Sequence, residues 1–352
     1  MKDESDKSNL FLSLILRPYN SMRFIVVPLL LVLFIAQASP PAARASSFYQ
    51  YPPAGRMIDI GGRKLHLNCS GKGGPTVILV AGGSAFSIDW ALVQPRVSAL
   101  TRVCSYDRAG LAWSDSGPAD ETVEQTINDL HAVLRAAKEK EPYVLVGASI
   151  GGIFIRAYQR AFPKEVAGLV FTNSANRVGK MVKDKGALLW DFTEDELRSA
   201  YPLPPSFDKG PRPSREGPPF DRLSPELQAV RLWLNVQLWE KWDPAKAGPA
   251  ENLSWRKEFL REFEETDAKE YPLGPLPVLV LSSGPIATES ERRSRAGAAA
   301  RLDFLSSNSA HVTAEGSGHE IHLFKPDAVV DGLTRIVGAV RKRVPISKTS
   351  PK

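Results

Sequence analysis

The segment Gly147-Ala148-Ser149-Ile150-Gly151 constrains the fold more than any other stretch of this chain. It closes an apolar run, Tyr143-Val144-Leu145-Val146, and opens a stretch of helical spacing from Ile153 to Phe162. A strand that turns at once into a helix crowds its own backbone, so residues without a Cβ are needed on both sides of the turn. Glycines stand at those two places. The serine between them is carried clear of the strand, with a helix N-terminus behind it.

Such a turn needs a sheet to leave from, and the rest of the chain supplies one. Short β-type runs fall at 57–60, 64–68, 76–80, 102–106, 143–146, 168–172, 278–281 and 311–315. Several are continuous apolar runs, as expected of parallel strands covered on both faces. Helical patterns fill the gaps at 122–138, 153–162 and 327–341. Alternating β and α of this kind predicts a doubly wound, mostly parallel, eight-stranded α/β sheet.

One insertion, from Arg177 to Tyr271, interrupts the alternation after the sixth strand. Its stretch from Pro202 to Pro219 holds seven prolines and is expected to be irregular. Ser224-Pro225 reads as an N-cap followed by proline at the first helical position, opening a helix to about Trp242. Trp255, Phe259, Leu260 and Phe263 fall at helical spacing on a second helix. Five of the seven tryptophans lie in this insertion, which predicts a helical cap with its own small core. Leaving the sheet where it does, the cap is expected over the strand C-termini, with some aromatics lining an apolar pocket above Ser149.

The net charge of +6 carries little meaning once it is located. Arg341, Lys342, Arg343, Lys348 and Lys352 crowd the last twelve residues, so the middle of the chain is about neutral and nucleic-acid binding is not expected. Arg23 precedes a thirteen-residue apolar run, 24–36, followed by Ala36-Gln37-Ala38 and Ala43-Arg44-Ala45, both of small-x-small form. That pattern reads as a signal peptide, with Met22 as the natural start, and places the protein in the periplasm or medium. The rival reading is an uncleaved anchor over residues 10–36, the only membrane attachment expected. The expected organisation is therefore 1–45 targeting segment, 46–176 and 273–343 core, 177–272 cap, and 344–352 basic tail. Only Cys69 and Cys104 remain after export, which invites a disulfide.

A serine hydroxyl is a weak nucleophile that needs a base, and the base needs a partner to orient it. His66, His131 and His311 fall within or beside strands and helices and read as structural. His319 lies in a flexible turn after the last strand, Gly316-Ser317-Gly318-His319, and is the expected base for Ser149. His322, one helical turn on, is the alternative.

The elbow, the Gly318-His319 turn and the segment Ser105-Tyr106-Asp107-Arg108-Ala109-Gly110 running on to Trp113-Ser114-Asp115 together resemble the α/β-hydrolase superfamily in its capped form, from about Arg56 to Val344. Serine at the elbow is unlike the dehalogenase and epoxide-hydrolase branches, which place aspartate there. The resemblance implies an oxyanion hole from the backbone N–H groups of Ile150 and of Gly83 in the loop Ala81-Gly82-Gly83-Ser84. It also implies an acid after the seventh strand, where 282–288 holds no carboxylate and Glu289 is the first candidate. In some capped relatives the acid closes the sixth strand instead, and here that place is Asn173. In this fold the second and fourth strands are neighbours, which gives the Cys69–Cys104 bond its geometry. The function implied is hydrolysis of an ester or related acyl bond in a small apolar substrate, with no cofactor and no metal. The alternatives are acyl transfer or perhydrolysis by the same serine, and a non-catalytic protein that binds a ligand or partner in the same pocket.

Overall fold

The computed structural model describes residues 50–118, 122–174, 211–241, 271–284 and 305–346, the backbone of 182–184 and 187–189, and Glu258 and Arg261. The expected signal segment, Glu289 and most of the second cap helix lie outside these residues. Glu258 and Arg261 are both helical.

Eight strands form one sheet: β1 (Arg56–Asp59), β2 (Lys64–Ser70), β3 (Thr76–Val80), β4 (Val103–Tyr106), β5 (Tyr143–Ala148), β6 (Val166–Thr172), β9 (Val278–Ser283) and β10 (Ser309–Ala314). Their order is β1-β2-β4-β3-β5-β6-β9-β10. The β1–β2 and β2–β4 pairs are antiparallel, and every later pair is parallel. The sheet is thus mostly parallel with an antiparallel edge. Every residue of β3 and β5 is buried, which is why these strands read as unbroken apolar runs.

Between β7 (Val182–Asp184) and β8 (Ala187–Leu189) a small antiparallel pair forms inside the insertion, where the sequence suggested only helix and irregular chain. Helices α2 (Val123–Ala136) and α3 (Gly151–Ala161) cover one face of the large sheet, and α1 (Gln94–Ser98) and α6 (Pro326–Lys342) cover the other. The chain passes from β3 outward to β4, then returns across β3 to β5. That reversal opens a crevice at the C-terminal ends of β3 and β5, the place where doubly wound sheets bind ligands.

Helix α4 (Pro225–Lys241) is the longest described element of the cap. It starts as its sequence dictates, with the Leu227 N–H donating to Ser224 Oγ at 3.3 Å and Pro225 first in the helix. Residues 211–219 of the proline-rich stretch form no helix or strand before a 3₁₀ turn at Phe220–Arg222. The short α5 (Ile321–Phe324) leads into α6. Cys69 and Cys104 stand directly opposite each other on β2 and β4, and they are joined in a disulfide with Cα atoms 4.0 Å apart.

Candidate active site

Ser149 occupies a sharp turn between β5 and α3 with φ at +51°, a left-handed conformation that a residue with a side chain adopts only under constraint. The constraint is visible on both sides. A Cβ on Gly147 would lie 2.5 Å from the Gly151 carbonyl, and one on Gly151 would lie 2.6 Å from the Val80 oxygen. Both glycines are therefore sterically required. The Ser149 N–H donates to Thr172 O of β6 at 3.3 Å, which ties the turn to the neighbouring strand.

Gly82 faces the serine across the crevice, since a Cβ there would lie 3.1 Å from Ser149 Cβ and 3.8 Å from Oγ. A Cβ on Gly83 would lie 3.8 Å from Ile150 Cγ2. The two backbone donors expected for an oxyanion, Gly83 and Ile150, are thus neighbours. Among the described residues neither N–H donates to a protein group.

His319 follows β10 in the turn the sequence indicated, and Phe324 accounts for the glycine before it. A Cβ on Gly318 would lie 2.6 Å from the Phe324 ring. Asn173 closes β6 with φ at +43°, and its side chain meets the histidine: Nδ2 lies 2.8 Å from His319 Nδ1 and 3.3 Å from the His319 carbonyl oxygen. Ser283 Oγ at the end of β9 lies 3.1 Å from Asn173 Oδ1. The amide nitrogen and oxygen are interchangeable by a flip, so two proton arrangements are open, although only the one with Nδ2 toward the ring also donates to the His319 carbonyl. With Nδ2 toward the ring, Nδ1 accepts and the ring proton sits on Nε2. With Oδ1 toward the ring, Nδ1–H donates, Nε2 is left able to accept a proton, and Nδ2 donates to Ser283 Oγ. Among the described residues no hydrogen bond joins Ser149 to His319. Resting catalytic bonds are often long and tighten only with substrate.

The other histidines separate clearly. His322 is buried and packed at a tilt against Trp90, with ring centroids 4.5 Å apart. Burial, with the nearby His319 and Arg231 charges adding to it, pushes its pKa down to about 3, so it stays neutral and is a weak base. His66, Asp107 and Ser87 form a serine–histidine–aspartate group entirely inside the protein. His66 Nδ1 lies 2.7 Å from Asp107 Oδ2, and Ser87 Oγ donates to that same oxygen at 3.1 Å. The Gly55 N–H donates to His66 Nε2 at 3.0 Å, occupying the nitrogen a base would need. This group is structural. His131 stacks on Phe162 at 4.0 Å, and His311 Nε2 lies 2.9 Å from Ser282 Oγ. Cys69, Cys104 and Glu139 lie close together, but sulfurs joined in a disulfide offer no thiolate to a metal.

Two participants were not singled out from the sequence. Ser283 lies in the segment 282–288, which holds no carboxylate. Arg108 lies inside the segment from Ser105 to Asp115, but nothing in that segment says what it touches. Its guanidinium donates from Nη1 to Ala81 O at 2.7 Å and from Nη2 to Gly82 O at 2.8 Å.

A serine on a strained strand-to-helix turn, at the switch point of a doubly wound sheet whose sixth strand ends in an asparagine that meets a histidine from the last loop, defines the class of α/β serine-elbow folds. The model of the Alpha/beta hydrolase family matches residues 77–332, and this chain belongs to that family. Among curated relatives, a probable transporter from Hormonema carpetanum is 32% identical over 34% of this chain, but the chain spans only 18% of that protein. The YqjL protein of Bacillus subtilis is 22% identical over 74% of this chain and 82% of its own length. The 2-hydroxymuconate semialdehyde hydrolase of Pseudomonas sp. (strain CF600) is 33% identical over 35% of this chain and 44% of its own. Solved structures of similar fold include an esterase from Thermogutta terrifontis, with TM-score 0.54 and 20% identity over 79% of this chain and 94% of that one. A putative lipase from Acinetobacter baumannii AYE gives TM-score 0.56 and 17% identity over 82% and 92%.

Proposed function

We propose that the protein is an exported serine hydrolase that opens an ester or related acyl bond in a substrate of modest size and apolar character. Ser149 Oγ attacks the acyl carbonyl while His319 Nε2 takes the hydroxyl proton. The N–H groups of Gly83 and Ile150 receive the oxyanion. Collapse of the tetrahedral adduct breaks the bond to the leaving alcohol, which departs with the proton held by His319. Water, deprotonated by His319, then attacks the acyl-Ser149 ester; the acid leaves and the hydroxyl is restored.

The observation that carries this reading is the elbow itself: Ser149 at φ +51°, with Gly82 packed against its side chain. A protein keeps such strain where a site needs it. In this reading Asn173 orients His319 through Oδ1 and holds the ring in the tautomer a base requires. It cannot offer a charge to the imidazolium. In serine proteases the equivalent aspartate-to-asparagine change costs about 10⁴ in turnover, because it leaves the histidine in the wrong tautomer. The apolar run before Ala38 and the disulfide support export.

The uncharged partner at 173 favours a second reading, a hydrolase-like protein that binds a ligand without turning it over. One panel separates the two: wild type, Ser149→Ala and Asn173→Asp against short and medium p-nitrophenyl esters. The enzyme reading expects measurable wild-type turnover, none above background in Ser149→Ala, and a rise of at least tenfold in kcat for Asn173→Asp. Equal rates in wild type and Ser149→Ala leave the binding protein.

A further inference from the structure

Arg108 is a buried cation whose position the proposed chemistry has not yet used. It is 9% exposed, and among the described residues no carboxylate pairs with it. Its partners are the two carbonyl oxygens of the loop after β3 and the Phe154 ring of α3, which lies 5.1 Å from the guanidinium carbon. A buried charge without a counter-ion is costly and is retained where it has work to do.

The two hydrogen bonds fix the orientation of two successive peptide planes. In a trans peptide the C=O and the following N–H point in opposite directions. With the Ala81 and Gly82 carbonyls both drawn to Arg108, the N–H groups of Gly82 and Gly83 are turned away from it. Gly82 is the residue packed against Ser149, and Gly83 the one packed against Ile150. A loop containing two glycines would otherwise have wide backbone freedom. The planar fork of arginine, reaching two acceptors at once, removes it.

We propose that Arg108 is the positioning residue of the oxyanion hole: it holds the peptide planes of the 81–83 loop so that the Gly83 N–H faces the reacting carbonyl oxygen, with its own unpaired charge behind them. The charge polarises both peptide groups in the direction that strengthens their N–H donors, and because Arg108 and the Ala81 and Gly82 carbonyls are buried, water screens it little. Arg108 does not touch the substrate. The proposal rests on the Ser149 hydrolase reading above.

The test compares Arg108→Lys and Arg108→Met with wild type and Ser149→Ala, measuring kcat and KM separately on a p-nitrophenyl ester and inhibition by a trifluoromethyl ketone. Loss of one oxyanion donor costs about 10²–10³ in kcat, which sets the scale for Arg108→Met. Lysine keeps the charge but not the fork, so Arg108→Lys falls between Met and wild type. KM stays within about threefold, because the loop acts on the tetrahedral state and not on ground-state binding. Affinity for the trifluoromethyl ketone, which forms an oxyanion on Ser149, falls in parallel with kcat. A purely structural role would lower the melting temperature without that parallel. Folded Arg108→Met and Arg108→Lys proteins with kcat within twofold of an active wild type overturn the proposal while leaving the hydrolase reading intact. Loss of fold in both variants also overturns it, since Arg108 is then a structural residue. A wild type no faster than Ser149→Ala overturns both readings.

Discussion

An imidazole packed against Trp90 inside the core keeps its neutral form, because its charge would have no water to solvate it. His322 is in that position, with a folded pKa near 3 against 6.5 for a free imidazole. The sign of the linkage follows. Above the free value both states are neutral and nothing is lost; as pH falls from 6.5 toward 3, the unfolded chain takes up a proton that the folded protein refuses. Stability therefore drops through that window, by about 1.4 kcal/mol per pH unit once well below the free value. Replacing His322 with phenylalanine keeps a ring beside Trp90 and removes the titration. Urea unfolding at pH 7, 6, 5 and 4 should show the wild type losing stability more steeply than His322→Phe; parallel declines would show that His322 does not contribute. The same burial sets His322 apart from His319, the base proposed for Ser149. Ser149 and His319 were legible because the turns that carry them dictate glycines nearby. Ser283 and Arg108 were not, because their roles depend on which strand ends meet across the sheet.

At the scale of elements, a buried arginine ties the cap to the core, alongside the Arg160–Glu258 ion pair at 2.6 Å and the Arg222 hydrogen bond to Phe324 O at 3.0 Å. Arg231 of α4 reaches Asp89 at 2.7 Å and Glu216 at 2.7 Å, with its guanidinium carbon 3.3 Å from the centre of the Phe220 ring. Burial raises the Asp89 pKa, and Arg231 offsets that cost. Asp89 also accepts the Phe86 N–H at 3.0 Å, so the contact joins the cap to the segment just after the 81–84 loop. Removing the cation strands two buried carboxylates, which costs about 3–5 kcal/mol. Chemical denaturation of Arg231→Met should show a loss of that size. Asp89→Asn added to it should recover part, since an amide can still accept the Phe86 N–H without a buried charge. A double variant weaker than Arg231→Met alone would refute this account. The start of α4 could be read from Ser224-Pro225 because capping is local chemistry. Its attachment could not, because Arg231 and Asp89 are 142 residues apart. The β7–β8 pair was missed for a different reason: three-residue strands are too short to carry a period.

For the whole molecule, the antiparallel edge decides where a covalent link can form. Because β2 runs against β4, the end of one strand lies beside the start of the other, and register places Cys69 directly across from Cys104. The eight strands were readable from the alternation of elements, whereas the adjacency of the second and fourth, and with it this pairing, was implied only by the resemblance to the α/β-hydrolase fold. A bond between residues 35 apart restricts the unfolded chain substantially, worth about 3–4 kcal/mol in the loop-entropy account. That contribution exists only where the bond forms and persists, which ties the stability of the fold to the oxidising compartment proposed for it. Three measurements bear on this together. Thiol titration of denatured, unreduced protein should find no free thiol. Reduction should lower the unfolding free energy by about 3–4 kcal/mol, while a Cys69→Ala/Cys104→Ala variant shows no response to reductant. N-terminal sequencing of protein recovered outside the cytoplasm should begin just after Ala38 or Ala45. Two free thiols in protein whose chain still begins at Met1 or Met22 would remove the bond and the export proposal at once, since the same compartment is asked to account for both.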